Sequence, residues 1–304
     1  MAPAIEVSAI IPTYNRRELV VRAIDSVLSQ TWGVDEIVVV DDGSTDGTEA
    51  HLRERYGDRI RYVWQTNAGV SAARNHGMSI AQGRYFALLD SDDEWLPETT
   101  AQQLEWMEAH PDFGMVLCDV ERVDSDHRLI DVFRRRDTIP EDGWILRWII
   151  HNPALAPASA LLRREVVADV GGFDTGLRTA EDIDFHLRVA QRWRIGVVEA
   201  SLVRAMRGHD GLSAESTTYD DYVRVVERAV ENAKGVVDET ELRRALAATY
   251  ARNARGMLIR KRWRDGWSLA IRAWRLTPDR ALRGDLLRLV PFGLRRAVRG
   301  LLPG

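Results

Sequence analysis

Short runs of β-branched and other apolar residues alternate with amphipathic stretches through the first 120 residues, the pattern of a parallel sheet covered by helices. The apolar runs predict strands over residues 7–11, 36–40, 60–64, 85–89 and 115–120. Apolar positions three and four apart predict helices over 18–29, 48–55, 70–81 and 98–109. Asp46, followed three residues on by Glu49, fits a capping box at the start of the second helix. Between 134 and 156 the periodicity weakens around Pro140, Gly143, Asn152 and Pro153, which predicts a loop-rich segment beside the sheet. Further on, 159–162 and 195–198 read as strands, and 165–170 and 181–191 as helices. From Tyr219 the chain is almost entirely helical in pattern and rich in arginine. The expected architecture is α/β, a mostly parallel central sheet flanked by helices over 1–218, with a helical extension over 219–304.

Composition bounds this picture. With 304 residues, 45% hydrophobic and 29% charged, the chain can bury one large core and carry an appendage. A formal net charge of -4 gives no sign of a nucleic-acid partner. The single cysteine, Cys118, lies in the apolar run MVLCDV and reads as a small core residue in a reducing compartment. Residues 1–15 lack a basic start and are broken by Glu6 and Pro12, unlike a secretory signal. No run approaches the roughly 18 apolar residues of a membrane span. A cytoplasmic location is expected.

In open parallel sheets, ligands sit beyond the carboxyl ends of the strands. Polar clusters fall at three such ends: Pro12, Thr13, Tyr14 and Asn15; Asp41, Asp42, Gly43 and Ser44; and Asp90, Ser91, Asp92 and Asp93. Each alone is ordinary turn chemistry, so the weight lies in their falling on successive strands. If extended geometry continues past Leu89, Asp90 and Asp92 point the same way. Two carboxylates held side by side suit a divalent cation shared with a phosphate-bearing ligand; the competing reading is a helix cap ahead of Trp95 and Pro97. Downstream, GGFD at 171–174 precedes Glu181, Asp182 and Asp184. There Asp182 is either part of a capping box behind Thr179 or a general base kept ionised by a positive helix end. Arg207, His209 and Ser213 add an imidazole suited to manganese or a related ion. Neither a glycine-rich dinucleotide fingerprint nor a phosphate loop is present, which argues against a dehydrogenase or a nucleoside-triphosphate hydrolase.

In this order, VSAIIPTYNR, EIVVVDDGSTDGT, NAGVSAARNHG, GRYFALLDSDDEW, GGFD with EDIDFHLR, and RGH resemble the inverting glycosyltransferases of family 2, over about residues 7–213. The resemblance implies a GT-A fold, with a nucleotide-binding half to about residue 120 and an acceptor-binding half over 121–218. It implies that Pro12, Thr13, Tyr14 and Asn15 pack around the nucleotide of a nucleotide-sugar donor and that Asp42 reads the base. Asp90, with Ser91, faces the ribose side, and Asp92 holds Mn²⁺ or Mg²⁺ with His209. Asp182 matches the catalytic base. Asp41, Asp93 and Glu181 are supporting residues, and Asn67, Gly69 and Arg74 match a segment between the nucleotide loops. The Q-x-x-R-W element of processive relatives is not reproduced at Gln191, Arg192, Trp193 and Arg194, which implies transfer of one sugar at a time to a glycan or lipid-linked acceptor.

Two other classes fit less well. A sugar nucleotidyltransferase normally carries a glycine-rich basic loop after the first strand, and a non-catalytic nucleotide-sugar binder is expected to have lost Asp90, Asp92 or Asp182. In the extension, Trp263, Trp267 and Trp274 share a helical face expected to pack against the catalytic part. Arg280, Arg283, Arg288, Arg295, Arg296 and Arg299 form either a solvated face or a basic amphipathic segment resting peripherally on anionic lipid.

Overall fold

A computed structural model describes residues 6–133, 139–151, 157–207, 218–277 and 279–299, with side chains to residue 289. The chain divides into two compact units, 1–148 with 154–211, and 149–153 with 212–304.

The first unit begins with the expected alternation: β1 (Val7–Thr13), α1 (Arg17–Leu28), β2 (Glu36–Asp41), α2 (Thr48–Tyr56), β3 (Arg61–Trp64), α3 (Val70–Ile80) and β4 (Tyr85–Leu88). Next come β5 (Asp93–Trp95), α4 (Thr99–Ala109), β6 (Phe113–Val123), β7 (Leu129–Phe133) and α5 (Leu146–Ile149). The series closes with β8 (Leu161–Arg163), α6 (Arg164–Val170), α7 (Glu181–Ala190) and β9 (Arg194–Met206). Among the described residues they form one nine-stranded sheet in the order β3-β2-β1-β4-β8-β6-β9-β5, with β7 beside β6. Strands β3, β2, β1 and β4 are mutually parallel; β8 enters antiparallel between β4 and β6, and β9 runs parallel to β6. Every residue of β1 is buried, as a strand covered on both faces requires. Its side chains join those of α1, α2 and α4 in the main apolar core.

Three expectations change at the site end of this sheet. Strand β4 stops at Leu88, and the Asp93 N–H donates to the Asp90 carbonyl at 3.0 Å, so residues 90–93 form a turn instead of continuing the strand. The chain then re-enters the sheet as β5, antiparallel to β9. Asp90 and Asp92 are therefore set by a turn, not by strand alternation. β9 runs 13 residues instead of four. Helix α2 carries no capping box: Gly47, at φ 83, is its cap, while Asp46 accepts from the Thr48 N–H and hydroxyl and Glu49 pairs with Arg53.

The second unit holds α8 (Thr218–Asn232), α9 (Glu239–Ile259), α10 (Trp263–Leu276) and α11 (Arg280–Arg299), with a core including Tyr250, Met257, Leu258, Leu269, Leu286 and Leu289. Trp263 and Trp267 pack on that cluster, not as part of a shared three-tryptophan face, and Trp274 is exposed. Among the described residues no helix is long and apolar enough to cross a membrane.

Candidate active site

The β1 and β2 loops are knitted together before any ligand is considered. Asn15, held at φ 50, donates its N–H to the Ser44 hydroxyl at 2.8 Å and accepts the Thr45 N–H on its side-chain oxygen at 2.8 Å. Such a backbone angle is tolerated best by asparagine among non-glycine residues. Asp41 is fully buried; it accepts from the Ser44 N–H at 2.7 Å and the Tyr62 hydroxyl at 2.6 Å. Asp42 accepts from the Gln65 amide at 2.7 Å, the Ala68 N–H at 2.9 Å and the Gly69 N–H at 2.8 Å. Three of the roughly four acceptor positions of that carboxylate thus anchor the 65–69 loop. Gly43, at φ +88, lies against it so closely that a Cβ would stand 3.0 Å from the Asn67 nitrogen. Tyr14 and Asn67 remain exposed at the rim, Pro12, Thr13 and Ser91 are buried, and the buried Thr13 hydroxyl has no partner.

A single buried guanidinium connects this region to the downstream acids. Arg74, on α3, donates to Asp90 at 2.6 Å and to Glu181 at 2.8 Å, with its Cζ 5.1 Å from the centre of the Phe173 ring. Both carboxylates hold Arg74 firmly charged despite burial. Glu181 and Asp182 open α7, and the preceding residue, Ala180, takes the left-handed φ of 60 with no side-chain cap. Thr179 is therefore not the cap, and the capping-box reading of Asp182 falls. The Asp182 carboxyl instead accepts the Ile183 N–H at 2.8 Å. Burial, then the neighbouring Glu181 charge, pushes it up to about 7, with Arg74 and the Ile183 N–H opposing. A helix start does not keep it fully ionised; burial brings it near neutrality, where a proton acceptor works best.

The other acids take separate partners. Asp92 pairs with Arg16 at 2.7 Å, which ties the turn after β4 to the loop after β1. Asp93 accepts the Met206 N–H at 3.2 Å; burial and the charges of Asp90 and Asp92 hold its carboxyl well above the usual carboxylate range. That contact brings the end of β9 and Arg207 toward the turn, but His209 lies outside the described residues. Among those, no group of three or more His, Cys, Asp and Glu side chains is arranged to hold a metal. A magnesium-like ion takes one or two carboxylates plus phosphate oxygens and water, and the partly buried Asp92 fits that donor set.

Residues that sequence reasoning passed over position the helix that bears Asp182. The Asn75 side chain donates to the Phe173 carbonyl at 2.8 Å and accepts its N–H at 2.7 Å, docking GGFD on α3. Arg188 bonds Asp184 and the carbonyls of Val170 and Gly172, and Phe173 stacks on Phe185 at 4.5 Å. The available signal was the spacing of Ser71, Arg74 and Asn75, a polar stripe on an otherwise sheet-covering helix. Arg16 had none.

Parallel β3-β2-β1-β4 with acid-bearing loops at its carboxyl ends, continued by a mixed second half, defines a GT-A fold. Residues 8–171 match the family model for glycosyl transferase family 2, and the chain belongs to that family. It is 30% identical over 207 residues to an uncharacterized glycosyltransferase of Rickettsia conorii, covering 66% of this chain and 33% of that one. It is 44% identical over 104 residues to the putative teichuronic acid biosynthesis glycosyltransferase TuaG of Bacillus subtilis, covering 33% of this chain and 41% of that one. The match thus spans about a third of the length of the Rickettsia relative. Among solved structures, S. aureus TarS superposes with a TM-score of 0.68 at 22% identity, covering 90% of this chain and 50% of TarS, a likeness of fold.

Proposed function

We propose that this chain moves a single sugar from a nucleoside-diphosphate donor, UDP- or dTDP-linked, to a hydroxyl of a glycan or lipid-linked acceptor in surface polysaccharide or glycolipid assembly, with inversion. The carrying observation is the Arg74 guanidinium spanning Asp90 and Glu181, because it couples the donor loop to the helix that bears Asp182. Support for a uridine donor comes from TarS, crystallised with UDP and with UDP-GlcNAc, and for a polysaccharide product from TuaG.

In this reading Asp182 takes the proton of the acceptor hydroxyl while that oxygen bonds the anomeric carbon and the bond to the diphosphate oxygen breaks. One base and no covalent intermediate give the inverted anomer. Mn²⁺ or Mg²⁺ on Asp92 and His209 would neutralise charge on the leaving diphosphate. Arg16, beside Asp92, adds a positive group on the same side, and the exposed Tyr14 ring offers a face to the base.

A panel of nucleotide sugars, with and without Mn²⁺, should raise the unfolding midpoint for one donor class; at a hundredfold excess over Kd the gain is about 2.7 kcal/mol. NMR of the product should then show the anomeric configuration opposite to the donor's. A retained anomer, or no shift with any donor, would refute the proposal.

A further inference from the structure

Charge is segregated along this chain. From Ala251 onward fourteen arginines and lysines stand against three aspartates, an excess of eleven positive charges. The whole chain has a formal net charge of -4, so residues 1–250 carry an excess of fifteen negative charges.

The basic end also displays apolar side chains that its own core leaves outside. Leu269, Ala270 and Ala273 of α10, with Leu286 and Leu289 of α11, fill the helical cluster. Ile271 and Trp274 face outward at 51% and 39% exposure, and Leu287 at 58%. Arg283 lies over the Trp274 ring, 5.0 Å from its centre, which sets α11 beside α10. Three residues separate the helices, a connection typical of antiparallel neighbours. Leu287, one turn on from Arg283, then comes level with Ile271, nearly one turn back from Trp274. Arg283 lies against this patch, and Arg275 and Arg280 are exposed close to it in sequence.

We infer that this face of α10 and α11 rests on an anionic membrane surface, its indole and aliphatic side chains entering the head-group boundary while the arginines meet lipid phosphates. Tryptophan, aliphatic residues and arginine on one face are the composition of interfacial helices. A second copy of the chain would set two basic faces against each other. A nucleic acid would engage the arginines but leave Ile271 and Leu287 in water. Since no described helix is long and apolar enough to span, the contact is peripheral. It stands independently of the transfer reaction proposed above.

Deleting α11 is an unsuitable test because Leu286 and Leu289 belong to the core; outward-facing residues avoid that difficulty. The full chain should sediment with vesicles of phosphatidylglycerol mixed with phosphatidylcholine and stay in the supernatant with phosphatidylcholine alone. The double variant Ile271→Glu, Leu287→Glu should partition at least about tenfold more weakly at an unchanged unfolding midpoint, since both side chains are more than half exposed. Three results would overturn the inference: no sedimentation of the wild type with anionic vesicles, equal binding by the folded double variant, or displacement from vesicles by duplex DNA at equal phosphate concentration.

Discussion

Asp182 is shaped by two opposing neighbours, a carboxylate next to it in sequence and a guanidinium from another helix. Because its carboxyl is pushed up from 3.8 to about 7, the folded chain retains a proton between those values that the unfolded chain has released. Its ionisation therefore costs stability as pH rises from about 4 to about 7, a loss fully present above that window. Asp182→Asn should abolish transfer, keep donor affinity within a few-fold, and raise the unfolding midpoint at pH 8 by about 2–4 °C for each kcal/mol recovered. Unchanged turnover, or lost donor binding, would show that another group is the base. In the wild type, kcat/KM should fall on the acid side with a midpoint near 7. Glu181→Gln removes the charge that raises Asp182 and frees Arg74 to lower it, so that midpoint should move to lower pH; an unmoved profile would exclude Asp182 as the titrating group. Arg74 itself is a heavier loss: Arg74→Ala leaves Asp90 and Glu181 without their shared buried counter-charge, at about 3–5 kcal/mol, readable by denaturant titration.

Between α3 and α7 the GGFD segment acts as a fitted spacer. A Cβ on Gly172 would stand 2.3 Å from the Asn75 side-chain oxygen, the atom that receives the Phe173 N–H. Gly172→Ala should therefore lose about 1–3 kcal/mol and lower kcat by loosening the helix that carries Asp182. Gly33→Ala, with open space around its Cβ, should change neither, as circular dichroism melts and initial rates would show. The legibility of these elements follows from what each buries. β1, β2 and β6 lie in apolar surroundings and declare themselves through β-branched residues, and β4 through the aromatic and aliphatic run Tyr85 to Leu88. β5 is three residues, Asp-Glu-Trp, and owes its strand geometry to β9 alongside, so no local pattern announces it. The same holds for the turn at 90–93: the sequence shows acids after a strand, but the Asp93 N–H to Asp90 carbonyl bond is what aims them. Asp42 stands out in the sequence as a candidate, while its use in anchoring Ala68 and Gly69 depends on a loop 26 and 27 residues away.

Across the molecule, the acids gathered at the sheet's carboxyl end are already compensated by protein groups. Asp90 and Glu181 share Arg74, Asp92 faces Arg16, and Asp93 accepts the Met206 N–H. Most of these carboxylates thus have a protein partner, unlike sites whose ligands repel until metal binds, while Asp93 stays raised by burial and by the charges of Asp90 and Asp92. Under the proposed function an incoming diphosphate would change the balance by bringing further negative charge to the same turn, and Arg16 with a cation on Asp92 would offset it. Chelation should consequently leave the unfolding midpoint of the ligand-free chain unchanged while shrinking the shift that a nucleotide sugar produces. Arg16→Ala should do the reverse to the ligand-free chain, releasing the pair at 2.7 Å, and should weaken donor binding more at low salt than at high, as an incompletely screened charge pair requires. Scanning fluorimetry with chelator, cation and donor added in turn separates these effects. A large drop in the ligand-free midpoint on chelation would mean that the acids depend on metal, and that the protein-only compensation is insufficient.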